Sequence, residues 1–352
     1  MQGIKLQNHI IAHNQPCFII AEAGVNHNGD TELAKQLIDV AKDAGADAVK
    51  FQTFITDEII LRDAPKANYH IETTGDDKTQ TWYELLKSQE LNREQHIKLI
   101  EYCKSKDIIF LSTPYDWRSV DLLDELDVQL FKIASTDASN TPFLRYMAKK
   151  GRPMILSTAM TNLDEINNSV ELIKSEGVND LVVLQCTGSY PAPVDQANIT
   201  AMRQIADTCD VAVGYSDHVS GYNAAIAAIA LGACVYEKHF TISRDLPGPD
   251  HRASLEPNEL KELINAIRQT ESALGNGDKN VMPCEEANRN KLRKFIVARK
   301  EIKRGDKFGN HNLTTKRTGG IGIKPTEWDN LLDEKAQENF KKDQPIIIGD
   351  NI

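Results

Sequence analysis

Continuous apolar runs alternate with stretches in which apolar residues recur every three or four positions, and the alternation repeats eight times between residues 17 and 274. The continuous runs are short and bounded by polar turns, the pattern of strands buried on both faces. They are CFIIAEAG from Cys17, DAVKFQT from Asp47, IIFLSTP from Ile108, LFKIAS from Leu130, PMILSTA from Pro153, LVVLQCTG from Leu181, VAVGYSDH from Val211 and CVYEKHF from Cys234. Between them lie helical patterns such as residues 30–46, where Leu33, Leu37, Val40 and Ala41 share a face behind an Asp30 or Thr31 cap. Eight strand–helix units, with no GxGxxG after the first strand, predict a closed (β/α)8 TIM barrel rather than an open doubly wound sheet. The leading IKLQNHIIAHNQP predicts a short hairpin that plugs the barrel floor.

After residue 274 the pattern changes. GNGDKNVMPCEEANRN is polar and rich in turn formers, and beyond it come short strands and turns. The expected organisation is a barrel over residues 1–280, a linker over 281–292 and a small domain over 293–352. A unit of about 60 residues is marginal alone, so it is expected to dock on its own barrel or a partner's.

Composition narrows the class. A chain of 352 residues accommodates a barrel of about 250 plus an appendage. With 41% hydrophobic and 26% charged residues it reads as a soluble globular protein. A net charge of -10 argues against a nucleic-acid or anionic-membrane surface, so any bound anion must meet a local positive site. The start has no signal-peptide pattern, and the most apolar stretch, Ala224 to Tyr236, is too short to span a bilayer. Six scattered cysteines without a CxxC pair suit reduced thiols in a cytoplasmic protein.

In such a barrel the active site gathers at the C-terminal ends of the strands. There the apolar runs turn polar, at Glu22; Lys50 and Gln52; Thr113; Lys132 and Ser135; Ser157; Thr187; Ser216, Asp217 and His218; and Glu237, Lys238 and His239. Two lysines beside Thr113, Ser135, Ser157 and Thr187 are suited to cradle a phosphate, although each hydroxyl is equally suited to capping the next helix. His218 and His239 end neighbouring strands and are placed either to share one divalent metal or to serve as hydrogen-bonded acid or base groups. Asp250, in the PGPDH loop, is placed to accept sugar hydroxyls or to fix its turn.

In order along nearly the whole chain stand IIAEAGVNHNGD, AVKFQTF, STP, FKIAS, ILST, CTGSYPAP, GYSDH, EKHFT with PGPDHRASLEP, and KRTGGIGIKP. This series resembles the sialic acid synthase family, in which a (β/α)8 barrel is joined to a C-terminal antifreeze-like (SAF) domain. The resemblance implies metal-dependent condensation of phosphoenolpyruvate with an N-acylated mannose-type aldose, giving a nine-carbon 2-keto acid and phosphate. It assigns Lys50, Thr113, Lys132, Ser135 and Ser157 to phosphoenolpyruvate. By the same resemblance His218 and His239 would bind Mn²⁺ or Mg²⁺, and Glu22, Gln52, Tyr190 and Asp250 would contact the sugar, Glu22 also handling a proton of the attacking water. The resemblance also implies that Arg317 would reach in from the antifreeze-like domain of the other subunit of a swapped homodimer. Asn26, His27 and Asn28 are expected to order the loop beside Glu22.

Four departures from the family pattern, at Asp137, Gly188, Ala159 and the RTGGIGI segment, bear on the acceptor. The acceptor is expected to be N-acetylmannosamine, its 6-phosphate, or a 2,4-diacetamido-trideoxymannose leading to a legionaminic-type acid. Two rival readings are a class I aldolase forming a Schiff base at Lys132 or Lys50 and a non-catalytic sugar-binding module on a decayed barrel.

Overall fold

The computed structural model describes residues 3–6, 9–66 and 81–348. The chain divides into two compact units, Met1–Gly275 and Asn276–Ile352.

In the first unit eight parallel strands follow one another around a barrel: β3 (Phe18–Gly24), β4 (Ala48–Thr53), β5 (Ile109–Pro114), β6 (Phe131–Ile133), β7 (Met154–Ser157), β8 (Leu181–Cys186), β9 (Ala212–Asp217) and β10 (Val235–His239). Hydrogen-bonded neighbours run β5-β4-β3-β10-β9-β8-β7-β6, and β5 and β6 lie side by side, which brings the sheet round to near closure. Each strand starts and ends within a few residues of its apolar run.

Helices cover the outside of the sheet. In α1 (Thr31–Ala44) the Asp30 side chain accepts from the Glu32 N–H, and Gly45, at φ +90°, ends the helix in the left-handed conformation. Its buried face is Ala34, Leu37, Ile38 and Ala41, so the stripe is centred one position away from the predicted one, with Leu33 and Val40 on its half-buried flank.

The barrel floor is apolar. The hairpin of β1 (Ile4–Leu6) and β2 (His9–Ile11) inserts Ile4, Leu6 and Ile11 among the inward residues Phe18, Ile20, Leu111, Ile155, Val182 and Leu184. This layer fills the lower barrel and leaves the upper interior to polar side chains.

The second unit has its own small core around β11 (Lys294–Ala298) and β12 (Leu313–Arg317), an antiparallel pair, with Ile296, Ile302, Phe308, Leu331, Phe340 and Ile346. The segment 281–292, expected as a linker, instead holds a helix over Pro283–Leu292 inside this unit. Pro283 opens the helix, and Glu285 and Glu286 at its start and Arg289 and Lys291 near its end complement the helix dipole. None of its residues is buried, so no apolar periodicity announced it.

Candidate active site

Alternation along a strand decides which polar residues enter the barrel. On β3, β4 and β10 the inward positions above the apolar floor are Glu22, Lys50 and Glu237; β5, β6, β7 and β9 add Thr113, Lys132, Ser157 and Ser216. Glu22, Lys50, Thr113, Lys132, Ser157, Ser216 and Glu237 are all buried.

They form one charged network. The Lys50 ammonium lies 2.7 Å from Glu22 Oε2 and 3.7 Å from Glu237 Oε2. Lys132 lies 3.1 Å from Glu237 Oε1. Lys50 also donates to Thr113 Oγ1 at 2.9 Å, Lys132 to Ser157 Oγ at 2.8 Å, and Ser216 to Glu237 Oε1 at 3.1 Å. The two lysines, read from the strand ends as a cationic pair, are therefore bridged by one acid, Glu237, and Lys50 carries a second, Glu22. Glu237 is the acid that the candidate set omitted. The signal for it was on the page: it stands two residues before His239 on the same strand and so faces the same way.

The network sets the charges. Burial pushes the Glu22 carboxyl up to about 7, against the pull of Lys50. Burial would also raise Glu237, but Lys132 and Lys50 hold it down, to about 2. Burial lowers Lys132, with Glu237 opposing. Lys50 is raised: burial works against its charge, and Glu22 and Glu237 outweigh it. With Glu22 protonated, Lys50, Lys132 and Glu237 leave a net positive site inside an acidic protein. Thr113 and Ser157 accept from the lysines, and Ser135 Oγ accepts from the Ala159 N–H at 2.9 Å. All three keep a hydroxyl proton to donate to an anion.

Above this network the second group converges. A Cβ built on Gly24 would lie 3.4 Å from Glu22 Oε1, 3.4 Å from His239 Cε1 and 3.5 Å from Gln52 Nε2. Gly24 sits at φ +53°, at a bulge where β3 shifts register against β4 between Glu22 and Gly24. The His218 and His239 ring centroids are 5.7 Å apart, with the Tyr190 ring 4.0 Å from His218 and 5.9 Å from His239. Asp250 Oδ2 stands 4.0 Å from His239 Nδ1, and burial raises its carboxyl to about 6.

The histidine pair fits a divalent cation. Burial, then His218 and Lys50, keep the His239 imidazole well below its usual pKa and hence neutral, and its buried Nδ1 has no hydrogen-bond partner. His218 Nδ1 is hydrogen-bonded to the Thr187 carbonyl at 2.7 Å, which orients the ring and leaves Nε2 free for ligation. The His218 pKa is raised: burial opposes its charge, but the Cys186 thiol favours it, and a cation would displace that proton. Among the described residues no set of three or more His, Cys, Asp or Glu side chains is arranged to hold a metal, so substrate or water oxygens would complete the shell.

Other expected residues lie elsewhere. Thr187 donates to the Gln196 carbonyl at 3.0 Å and so braces its own loop. Asn26 Nδ2 donates to the Phe240 carbonyl at 2.8 Å and to Ser254 Oγ at 3.0 Å, and His27 Nδ1 accepts from the Gly29 N–H at 3.0 Å. The loop after β3 is thereby tied to the loop carrying Asp250. Arg317 is on β12 of the second unit, exposed, with its Nε donating to the Leu292 carbonyl at 3.2 Å.

Residues 37–279 match the model of the NeuB family. The chain belongs to the NeuB family. Residues 293–348 match the SAF domain, the antifreeze-like appendage. The N,N'-diacetyllegionaminic acid synthase of Campylobacter jejuni is 46% identical over 93% of this chain and 98% of its own length. That of Legionella pneumophila is 42% identical over 94% and 93%. The solved N-acetylneuraminic acid synthetase of Leptospira borgpetersenii superposes with a TM-score of 0.71 at 34% identity, covering 82% of this chain and 95% of that one. This NeuB-family chain is accordingly an enzyme, a sugar-acid synthase. No helix among the described residues is long and apolar enough to cross a membrane.

Proposed function

We propose that this enzyme condenses phosphoenolpyruvate with an N-acylated mannose-type aldose to give a nine-carbon 2-keto sugar acid and phosphate. The observation that carries the reading is the meeting, in one barrel mouth, of a Lys50–Lys132 site with hydroxyl donors and a His218–His239 pair beside Glu22. Lys50 and Lys132, with Thr113, Ser135 and Ser157, hold the anionic groups of phosphoenolpyruvate. A divalent cation, Mn²⁺ or Mg²⁺, held by His218 and His239 would act as a Lewis acid toward the acceptor's carbonyl. Gln52, Tyr190 and Asp250 orient the open-chain sugar so that its aldehyde carbon faces the enol carbon.

Carbon–carbon bond formation leaves positive charge at C2 of the former enol. Glu22, ionised, takes the proton of the water that adds there, and the C2–O bond to phosphate then breaks. Glu237 keeps the two ammonium groups apart and aligned.

The acceptor we infer is a 2,4-diacetamido-trideoxymannose, leading to an N,N'-diacetyllegionaminic-type acid. Identities of 46% and 42% to synthases of that name, against 34% to the N-acetylneuraminic acid synthetase, support this choice over N-acetylmannosamine. The protein is further proposed to act as a swapped homodimer in which Arg317 closes the partner's mouth. Exposed Met160, Val194 and Tyr222 on segments after β7, β8 and β9, with exposed Ile321 on the second unit, are apolar surfaces suited to such docking.

Mass spectrometry of products formed from phosphoenolpyruvate and a panel of 2-acetamido and 2,4-diacetamido hexoses tests the reaction. The expected result is one nine-carbon acid and one phosphate per turnover, abolished by EDTA and restored by Mn²⁺. Borohydride trapping of pyruvate on Lys132 or Lys50, with no effect of EDTA, would instead establish the Schiff-base aldolase.

A further inference from the structure

Asp217 and Lys238 are charged residues of the strand ends that the reaction above does not use. On β9 and β10 they alternate with the inward Ser216, Glu237 and His239, so they point out of the barrel, into the packing beneath the helices. Both are nearly sealed from solvent, at 1% and 3% exposure. They are register neighbours across the two strands, with Lys238 Nζ 3.2 Å from Asp217 Oδ2.

Their remaining bonds converge on a single residue. Asp217 Oδ1 accepts from the Val219 N–H at 2.8 Å, and the Lys238 ammonium donates to the Val219 carbonyl. The Tyr236 hydroxyl donates to Asp217 Oδ2 at 2.6 Å and holds that carboxylate in place. Both backbone polar groups of the residue after His218 are thus gripped by one ion pair. On the near side, the Ala192 N–H donates to the His218 carbonyl at 2.8 Å, and the imidazole itself is bound to the Thr187 carbonyl. A buried ion pair is weak evidence for stability, because a well-packed apolar pair of similar volume often serves as well or better. Here its geometry accounts for a different task.

We propose that the Asp217–Lys238 pair is a positioning device that fixes the backbone behind His218 and thereby tunes cation affinity at the mouth from outside the barrel wall. The proposal rests on the reading of His218 and His239 as the cation site. Outer partners that orient metal ligands change affinity by about 10- to 100-fold when removed.

The test uses the full-length protein, Lys238→Met, and the double variant Asp217→Asn/Lys238→Met, which leaves no unpaired charge in the wall. Titration with Mn²⁺ alone, followed by electron paramagnetic resonance, is expected to show about 10- to 100-fold weaker binding, in protein whose circular dichroism shows a retained fold. Crystal structures of the metal-free variants are expected to show Val219 displaced and the His218–Thr187 hydrogen bond lost. Wild-type Mn²⁺ affinity in the folded double variant, or an imidazole that keeps its place and its bond to Thr187, overturns the proposal. Failure of the double variant to fold would make the pair a requirement of the core and overturn it equally. If the unmodified protein takes up no Mn²⁺, the cation reading falls, and the positioning role is decided by the crystal structures alone.

Discussion

Glu22 and Glu237 are the same residue type, buried in the same barrel and joined to the same Lys50, yet their carboxyls move in opposite directions. Glu237 has two lysines and Glu22 has one, and burial dominates where the opposing charge is smaller. A base must be ionised to act, so the sign for activity is clear. kcat/KM should rise with pH as Glu22 loses its proton, with an acid limb near 7 rather than near the ordinary 4.5. Glu22→Gln should abolish most turnover and remove that limb from the residual activity. Asp250, raised to about 6, titrates below it. Asp250→Asn should therefore keep the limb near 7 while raising the acceptor's KM, and a limb that moved with Asp250 would assign the base elsewhere.

Among the elements, the strands serve two purposes at their two ends. At the floor, Ile11 of the N-terminal hairpin is fully buried among inward apolar residues. Ile11→Ala should cost about 2–5 kcal/mol of stability, read as a lower melting temperature, with kcat nearly unchanged. At the mouth, Gly24 occupies a left-handed conformation that L side chains rarely adopt, and a methyl group there would press toward Glu22 and His239. Gly24→Ala should introduce about 1–3 kcal/mol of backbone strain and lower kcat as well, so the ratio of stability loss to activity loss separates floor from mouth. The strands were readable because runs buried on both faces carry a strong signal. Helix 283–292 was not, because an exposed helix stabilised by its end charges has no apolar stripe to read.

For the whole molecule, a net charge of -10 makes the buried Lys50 and Lys132 the local positive groups that an anion in the mouth would meet. If Arg317 completes the partner's site, Glu22→Gln and Arg317→Ala proteins, each nearly inactive, should regain activity when denatured and refolded together. Each mixed dimer would then contain one mouth with both residues intact. Equal inactivity before and after mixing would place Arg317 over its own barrel or outside the site.

The order of eight strand–helix units, the polar residues at their ends and the family motifs follow from the chain alone, because each depends on local periodicity or local composition. The partners of those residues do not. Lys50 and Lys132 stand far apart in the sequence from Glu237, and closing the sheet is what brings the acid of the last strand between the lysines of β4 and β6. Likewise, Asp217 and Glu237 look alike as acids at strand ends, but the pleat sends one into the wall and the other into the mouth. The opposite pKa shifts of Glu22 and Glu237 have the same origin: they are set by burial and by distances between strands, which exist only once the barrel has formed.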